Sequence, residues 1–148
     1  MDPRILVAFD GSTQANSALR YALSTYVDAE IHVLHVKDPQ EWSNADDVEG
    51  FELVAHERSQ EATETVFDRA GEITQNYENE ITTEMVSGEA ATSIVNYAEE
   101  HGVDHIVLGS HGRHGLSRYF LGSVAERVVR QAHVPVTIIR ENPSTQET

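Results

Sequence analysis

The amino-acid sequence predicts a single α/β domain in which helices cover both faces of a parallel β-sheet. Its 148 residues are the length of one domain with one buried core. Apolar runs and amphipathic segments alternate in the order β-α-β-α-β-α-β-α-β, which favours parallel strands joined by crossover helices. We therefore expect an open, Rossmann-like sheet of five strands in the order 3-2-1-4-5 over residues 1–141, followed by an unstructured tail at 142–148.

The first half of the chain begins with the run RILVAF at residues 4–9, which is continuously apolar, as in a strand buried on both faces. A helix follows, with Ser12 or Thr13 as its N-terminal cap. The second strand is predicted at residues 30–36, and the acidic residues 37–50 are typical of a surface loop. The predicted apolar face of the first helix consists of Ala15, Ala18, Leu19, Ala22 and Leu23.

The second half of the chain continues the alternation. The strand at 80–86 has apolar residues on one side only, as in an edge strand. Gly102 is placed to end the helix that follows this strand. In order, the remaining elements are a helix at about 51–77, a strand at 80–86, a helix within 87–102, a strand at 103–109, a helix at 123–133 and a strand at 134–140.

Composition excludes several classes of function. The chain has no cysteine, so disulfides, thiol catalysis and cysteine-based metal sites are excluded. A formal net charge of −15 repels nucleic acids and anionic membranes. Only Lys37 among the ten basic residues is a lysine, and this acidic, lysine-poor surface favours adaptation to high salt over an ordinary acidic protein. No apolar run approaches the ~20 residues needed to span a bilayer and no leader pattern is seen, so we expect a soluble cytoplasmic protein.

Two turns are expected to meet where the winding direction of the sheet reverses. In open α/β sheets, ligands bind outside the carboxyl ends of the strands at this point. With strand 1 in the centre, the crevice lies between strands 1 and 4. The sequences FDGS at residues 9–12 and LGSHG at residues 108–112 then lie side by side.

The stretch GSHGRHGLSRYFLGS at residues 109–123 has the composition of a phosphate-binding loop. It contains four glycines, two histidines and two arginines, and no carboxylate occurs from His105 to Ala125. Gly122 and Ser123 open a helix, whose unpaired N–H groups and partial positive charge attract phosphate. Neither the Walker pattern nor G-x-G-x-x-G is present. The alternative for this stretch is a surface loop followed by a Ser-capped helix.

This stretch resembles the signature of the universal stress protein family. That signature is Gly, two residues, Gly, nine residues, then Gly-Ser or Gly-Thr, and here it is filled by Gly109, Gly112, Gly122 and Ser123. ILVAFDGS, HVLHV and VPVTIIR extend the resemblance over nearly the whole chain. The three-glycine spacing is similar to the ATP-binding branch of the family. The resemblance therefore implies an ATP-binding stress-response regulator with at most slow ATP hydrolysis.

The resemblance also implies the residues of an ATP site. Asp10 would contact the adenosine, although capping the first helix is the alternative for this residue. Mg²⁺ or Mn²⁺ would be held by the ATP phosphates. His114 departs from the small or hydroxylic residue usual at its position. The implied base-side residues are Ala8, Asp10, Val36, Leu108 and Gly109, and the implied phosphate-side residues are Gly112, Arg113, Gly122, Ser123 and Val124.

The histidines are given structural roles in this interpretation. His111 and His114 lack a third ligand at suitable spacing, so we interpret them as loop residues and expect no protein-held metal. His32 and His35 fall on opposite faces of strand 2, where packing or hydrogen bonding in the core accounts for them.

The last predicted strand, residues 134–140, is expected at an edge of the sheet because Pro135 cannot donate a ladder hydrogen bond. The strand is nevertheless too apolar to be left open. In the resembled family this strand, here running from Val134 to Arg140, pairs with its counterpart across a homodimer axis, and an unidentified regulatory protein would be a further partner. Two other functions stay open besides that of an ATP-binding regulator. One is a slow ATPase or autophosphorylating enzyme, and the other is a protein-interaction module with a vestigial nucleotide site.

Overall fold

The alternation of strands and helices read from the sequence is present in the folded chain. The computed structural model describes residues 2–37, 51–110 and 122–140, with side chains described in all but residues 51–62. The strands are β1 (Arg4–Ala8), β2 (Glu30–Lys37), β3 (Ile81–Ser87), β4 (His105–Gly109) and β5 (Val136–Ile139). The helices are α1 (Thr13–Thr25), α2 (Phe51–Thr74), α3 (Ala90–Glu100) and α4 (Ser123–Gln131). Predictions for residues 38–50, 111–121 and 141–148 lie outside the described residues.

The five strands form one parallel sheet in the order β3-β2-β1-β4-β5, which confirms the predicted fold. Strand β1 is central and pairs with β2 on one side and β4 on the other. Strands β3 and β5 are the two edges, as predicted from the one-sided pattern of the former and from Pro135 in the latter. The crossover between β3 and β4 therefore reverses the winding direction beside β1.

Successive side chains of the strands pack alternately into two apolar cores, one on each face of the sheet. Residues Ile5, Val7 and Val107 point toward α1 and α2, whereas Leu6, Ile106 and Leu108 point toward α3 and α4. The predicted apolar face of α1 is fully buried in the first core. Burial on both faces explains why the central strands read as continuous apolar runs.

Helix boundaries are set by local hydrogen bonds. Ser12 is the N-cap of α1, and its hydroxyl accepts a hydrogen bond from the Ala15 N–H at 3.1 Å, which decides between the two predicted caps. Gly102 follows α3 with φ +61°, the left-handed conformation that ends helices. Within the described part of the chain, no helix combines the length and apolar character needed to cross a membrane.

A polar cluster lies at the amino edge of the sheet, opposite the predicted crevice. The buried His32 ring has Nδ1 2.7 Å from the Tyr97 hydroxyl, and its Nε2 lies 3.2 Å from Glu30 Oε2 without hydrogen-bond geometry. Arg4 Nε donates to the same Glu30 oxygen at 2.8 Å.

The second histidine of β2 also has a polar contact, because His35 Nδ1 lies 3.1 Å from the Phe9 carbonyl oxygen. Both β2 histidines thus have hydrogen-bonded roles, as predicted.

The contact of Glu30 with His32 and Arg4 predicts a pH-dependent contribution to stability. Close contact with the His32 ring and the positive charge of Arg4 lower the pKa of Glu30 from its ordinary 4.5. A carboxylate with a lowered folded-state pKa stabilises the fold fully above the ordinary pKa, and this contribution is lost as the pH falls through the folded-state value.

Glu30→Gln is therefore expected to lower the free energy of unfolding at neutral pH, with the difference from wild type shrinking below pH 4.5. Urea denaturation at a series of pH values measures this difference. The matched control is Glu100→Gln, at an exposed position on α3. A difference at Glu30 that stays constant from neutral to acid pH contradicts the assignment.

Candidate functional site

The turn after β1 is built around Asp10. Its Oδ1 accepts a hydrogen bond from the Ser12 N–H at 2.9 Å, and the intervening Gly11 adopts φ +80°. This arrangement is a side-chain turn that leads directly into the Ser12 cap of α1. Asp10 therefore shapes the start of α1 through one carboxylate oxygen, while the capping hydrogen bond itself comes from Ser12. Contact of Asp10 with a nucleotide stays a prediction.

Gly109, at the end of β4, is in close contact with α1. A Cβ atom at this position would lie 2.7 Å from Gln14 Cβ and 2.9 Å from the Gln14 carbonyl carbon. These distances are shorter than van der Waals contact, and one of the two partners is backbone. The close approach of α1 to β4 thus requires glycine here whether or not a ligand binds nearby.

The amino end of α4 lies directly at the carboxyl end of β4. Gly122 is the N-cap of α4 and makes no side-chain capping hydrogen bond. Its N–H donates to the Ser110 carbonyl oxygen at 2.7 Å, and the Ser110 N–H donates to the Ile139 carbonyl oxygen at 2.8 Å. Ser123 is exposed as the first residue of the helix, followed by Val124, which is 37% exposed. The first-turn amides thus lie where the helix dipole favours an anion.

The implied base-side residues line up across three neighbouring strands. Ala8 ends β1, Val36 is near the end of β2, and Leu108 is near the end of β4. Leu108 is buried, and the partly buried Ala8 and Val36 pack against the same apolar cluster beneath α3 and α4. Ala8 and Val36 keep part of their apolar surface exposed, whereas Leu108 lies within the core. The remaining implied residues, Gly112 and Arg113, lie outside the described residues, together with His111 and His114.

The structure therefore brings together two halves of the predicted site. Strands β1 and β4 are neighbours, so the Asp10 turn and the β4–α4 connection share one edge of the sheet. Among the residues with described placement, no group of three or more His, Cys, Asp or Glu side chains is arranged to hold a metal ion. The arrangement offers two partly exposed apolar residues near the sheet edge, Ala8 and Val36, and backbone N–H donors at a helix start.

Three residues at this edge escaped the sequence interpretation. Gln14 packs against Gly109, and Glu89 is the N-cap of α3. Ser110 is buried, and its carbonyl oxygen accepts a hydrogen bond from the Gly122 N–H. Hydrogen bonding to Thr92 and the charge of Arg127 lower the pKa of Glu89 from its ordinary 4.5. Only Glu89 carried a signal, because it follows Gly88 directly before an amphipathic helical pattern. The other two contacts depend on tertiary packing, which leaves no local pattern.

A doubly wound sheet with a helix start at its switch point defines a class of ligand-binding α/β domains. The universal stress protein family model matches residues 1–140, so this chain belongs to the universal stress protein family. Universal stress protein MJ0531 of Methanocaldococcus jannaschii is 32% identical over 140 residues, covering 93% of this chain and 82% of the relative. Universal stress protein MJ0577 of the same organism is 31% identical, covering 97% of this chain and 98% of the relative.

Solved structures show the same architecture. The structure of MJ0577 superimposes with a TM-score of 0.77 at 30% identity, covering 96% of this chain and 99% of that one. The universal stress protein from Archaeoglobus fulgidus in complex with dAMP has a TM-score of 0.65 at 22% identity, covering 95% of this chain and 98% of that one. At this lower identity the likeness shows the shared fold alone.

The Gly109 contact gives a direct test of the packing that shapes the site. Gly109→Ala is expected to destabilise the fold by about 1–3 kcal/mol, since the added methyl group overpacks the β4–α1 contact. Gly71→Ala in α2 is the matched control, because a Cβ there meets nothing within 4 Å. The control should stabilise by about 0.5–1 kcal/mol through its better helix propensity.

Urea denaturation followed by circular dichroism measures both changes. Equal stability of Gly109→Ala and wild type would show that α1 does not approach β4 this closely.

Proposed function

We propose that this universal stress protein binds ATP at the carboxyl edge of its sheet, in the crevice beside β1 and β4. The observation that carries the proposal is the amino end of α4, where an N-cap glycine without a side-chain cap is bound to the end of β4. Backbone amides at such a position are suited to phosphate. The stress-response role follows from the family, and the nucleotide would act as a regulatory ligand in a protein with little or no rapid catalysis.

The chemistry of the described residues fits the parts of a nucleotide. Ala8 and Val36 are partly exposed apolar residues of the kind that contact a flat base, and the buried Leu108 packs in the same cluster. Asp10 has a carboxylate at the neighbouring turn, suited to accepting hydrogen bonds from a ribose hydroxyl. Gly122, Ser123 and Val124 present the helix start to the phosphates, and Mg²⁺ or Mn²⁺ would accompany those phosphates. Gly112 and Arg113 belong to the proposed phosphate side by family resemblance alone.

The A. fulgidus complex shows that a protein with this fold can hold an adenine nucleotide. That protein holds dAMP within the same fold. A monophosphate lacks the two outer phosphates, so the proposal of ATP rests on the start of α4 and on the glycine spacing of residues 109–123 rather than on that complex.

Substitution of Gly122 tests the phosphate half of the site. Gly122 has φ −65° and ψ 157°, a conformation open to any residue. Gly122→Asp would cap α4 with its own carboxylate and stabilise the helix by about a few tenths of a kcal/mol. The same carboxylate would occupy the first-turn amides and repel phosphate.

Calorimetric titration is therefore expected to show a large loss of ATP affinity, a smaller loss for AMP, and unchanged adenosine affinity. Circular dichroism and thermal unfolding confirm that the variant is folded. If the folded variant binds ATP as wild type does, the start of α4 is not the phosphate site. If wild type binds no adenine nucleotide, the interaction-module function is favoured instead.

We also propose that the protein is a homodimer joined through β5. The carbonyl groups of Pro135 and Ile139 accept hydrogen bonds from the β4 side. Because backbone groups alternate along a strand, those of Val136 and Ile138 point away from β4. These outward groups belong to an apolar edge strand, which a second copy would cover by strand pairing.

Val136→Asp is expected to convert the dimer to a monomer with reduced stability, as measured by light scattering. Met85→Asp, on the opposite edge strand β3, is the matched control and should leave the dimer intact, because Met85 is 38% exposed and lies away from β5. A monomeric wild type, or a dimer that persists after the Val136 substitution, contradicts the proposed homodimer through β5.

A further inference from the structure

The side chain of Glu89 connects two helices at the carboxyl edge of the sheet. Its Oε2 accepts a hydrogen bond from the Thr92 N–H at 2.8 Å and thereby caps α3. Its Oε1 accepts a hydrogen bond from Nη1 of Arg127, in the middle of α4. One carboxylate therefore uses both oxygens, one on each helix.

The residue before Glu89 anchors this carboxylate to the sheet. The Gly88 N–H donates to the carbonyl oxygen of Lys37, the last residue of β2, at 2.9 Å. Gly88 has φ +147°, and a Cβ there would lie 2.9 Å from the Ser93 hydroxyl oxygen, so the position requires glycine. Contacts thus run without a break from the end of β2, through Gly88 and Glu89, to Arg127.

Arg127 gives the first turns of α4 a contact in addition to the one at the N-cap. It lies one turn after Ser123, and helical side chains point back toward the amino end of their helix. At that end, Gly122 is bound to the Ser110 carbonyl oxygen after β4. The start of α4 is therefore held at two points, by the end of β4 and by the α3 cap.

We propose that Glu89 and Arg127 are positioning residues of the nucleotide site. Their ion pair holds the first-turn amides of α4 at a fixed distance from the end of β2, where Val36 lies. The base side and the phosphate side of the crevice then keep the spacing that one extended ligand requires. This inference rests on the proposed function. It predicts that the ion pair affects the binding of the outer phosphates of ATP and has no effect on the binding of adenosine, which lacks them.

A purely electrostatic role predicts the opposite sign for one variant. Glu89→Gln removes a negative charge near the phosphates and leaves Arg127 unpaired, so simple charge attraction would strengthen ATP binding. The positioning role predicts weaker ATP binding, because the link between α3 and α4 is lost. Glutamine retains a side-chain oxygen able to cap α3, which limits damage to the fold.

The experiment is calorimetric titration of ATP and adenosine into wild type, Glu89→Gln, Arg127→Ala, Arg127→Lys and the double variant Glu89→Gln/Arg127→Ala. Arg130→Ala is the matched control, since Arg130 lies on the same helix and, within the described part of the chain, pairs with its exposed neighbour Glu126 at 2.8 Å. Circular dichroism verifies the fold of each variant.

Each single variant, Glu89→Gln or Arg127→Ala, is expected to weaken ATP binding about fivefold, as the loss of one partly exposed ion pair allows. Adenosine affinity should stay unchanged, Arg127→Lys should recover part of the ATP affinity, and Arg130→Ala should match wild type. The double variant should lose no more than either single variant, because both remove the same link.

Three results would overturn the inference while leaving ATP binding in place: unchanged or tighter ATP binding by Glu89→Gln, equal losses for ATP and adenosine, or additive losses in the double variant. Wild-type protein that binds no ATP would overturn the proposed function, and the inference with it.

Discussion

The parallel pairing of β1 with β4 is the constraint on which the candidate site depends. It joins strands that are far apart in sequence, with Val7 beside Val107, and it places the two halves of the chain on either side of β1. Both faces of this central pair are buried, so a helix must leave each strand at its carboxyl end and return over one face. The starts of α1 and α4 consequently meet at one edge.

Glycines at this edge meet different physical demands, although they look alike in sequence. Gly109 leaves room for Gln14, so its requirement comes from the packing of α1 on β4. Gly11 and Gly88 adopt positive φ, which few other residues tolerate. Gly122 has an ordinary extended conformation, and its lack of a capping side chain is what leaves the start of α4 open to an anion. A glycine signature therefore combines folding and binding requirements in one pattern.

The fold could be predicted from the sequence because its elements are locally encoded. Continuous apolar runs predicted the buried strands, the face of α1 was read correctly, and Pro135 identified β5 as an edge. The observed strand ends differ from the predicted ones by one or two residues, as for β5, which spans Val136–Ile139 where residues 134–140 were predicted. The meeting of the turn at residues 9–12 with the end of β4 at the switch point followed from strand order alone.

The contacts that shape the site were not predictable, because they join segments distant in sequence. The closeness of Gln14 to Gly109 depends on how deeply α1 packs against the sheet, and no periodicity encodes a distance. The pairing of Glu89 with Arg127 spans α3, β4 and the start of α4, and either residue alone reads as a solvated charge. Such contacts become visible only when both helices are placed on the same face.

The carboxyl edge of the sheet around α4 is less acidic than the chain as a whole. The formal net charge is −15, yet no acidic residue occurs between His105 and Ala125. Among the described residues, Glu89 beside α4 and Glu126 within α4 are each paired with an arginine of that helix. An unpaired carboxylate beside a helix start would compete with an anionic ligand for the same N–H groups, as Asp does in an N-cap. Pairing both carboxylates removes much of that repulsion locally, so the start of α4 can attract an anion although the protein as a whole repels one.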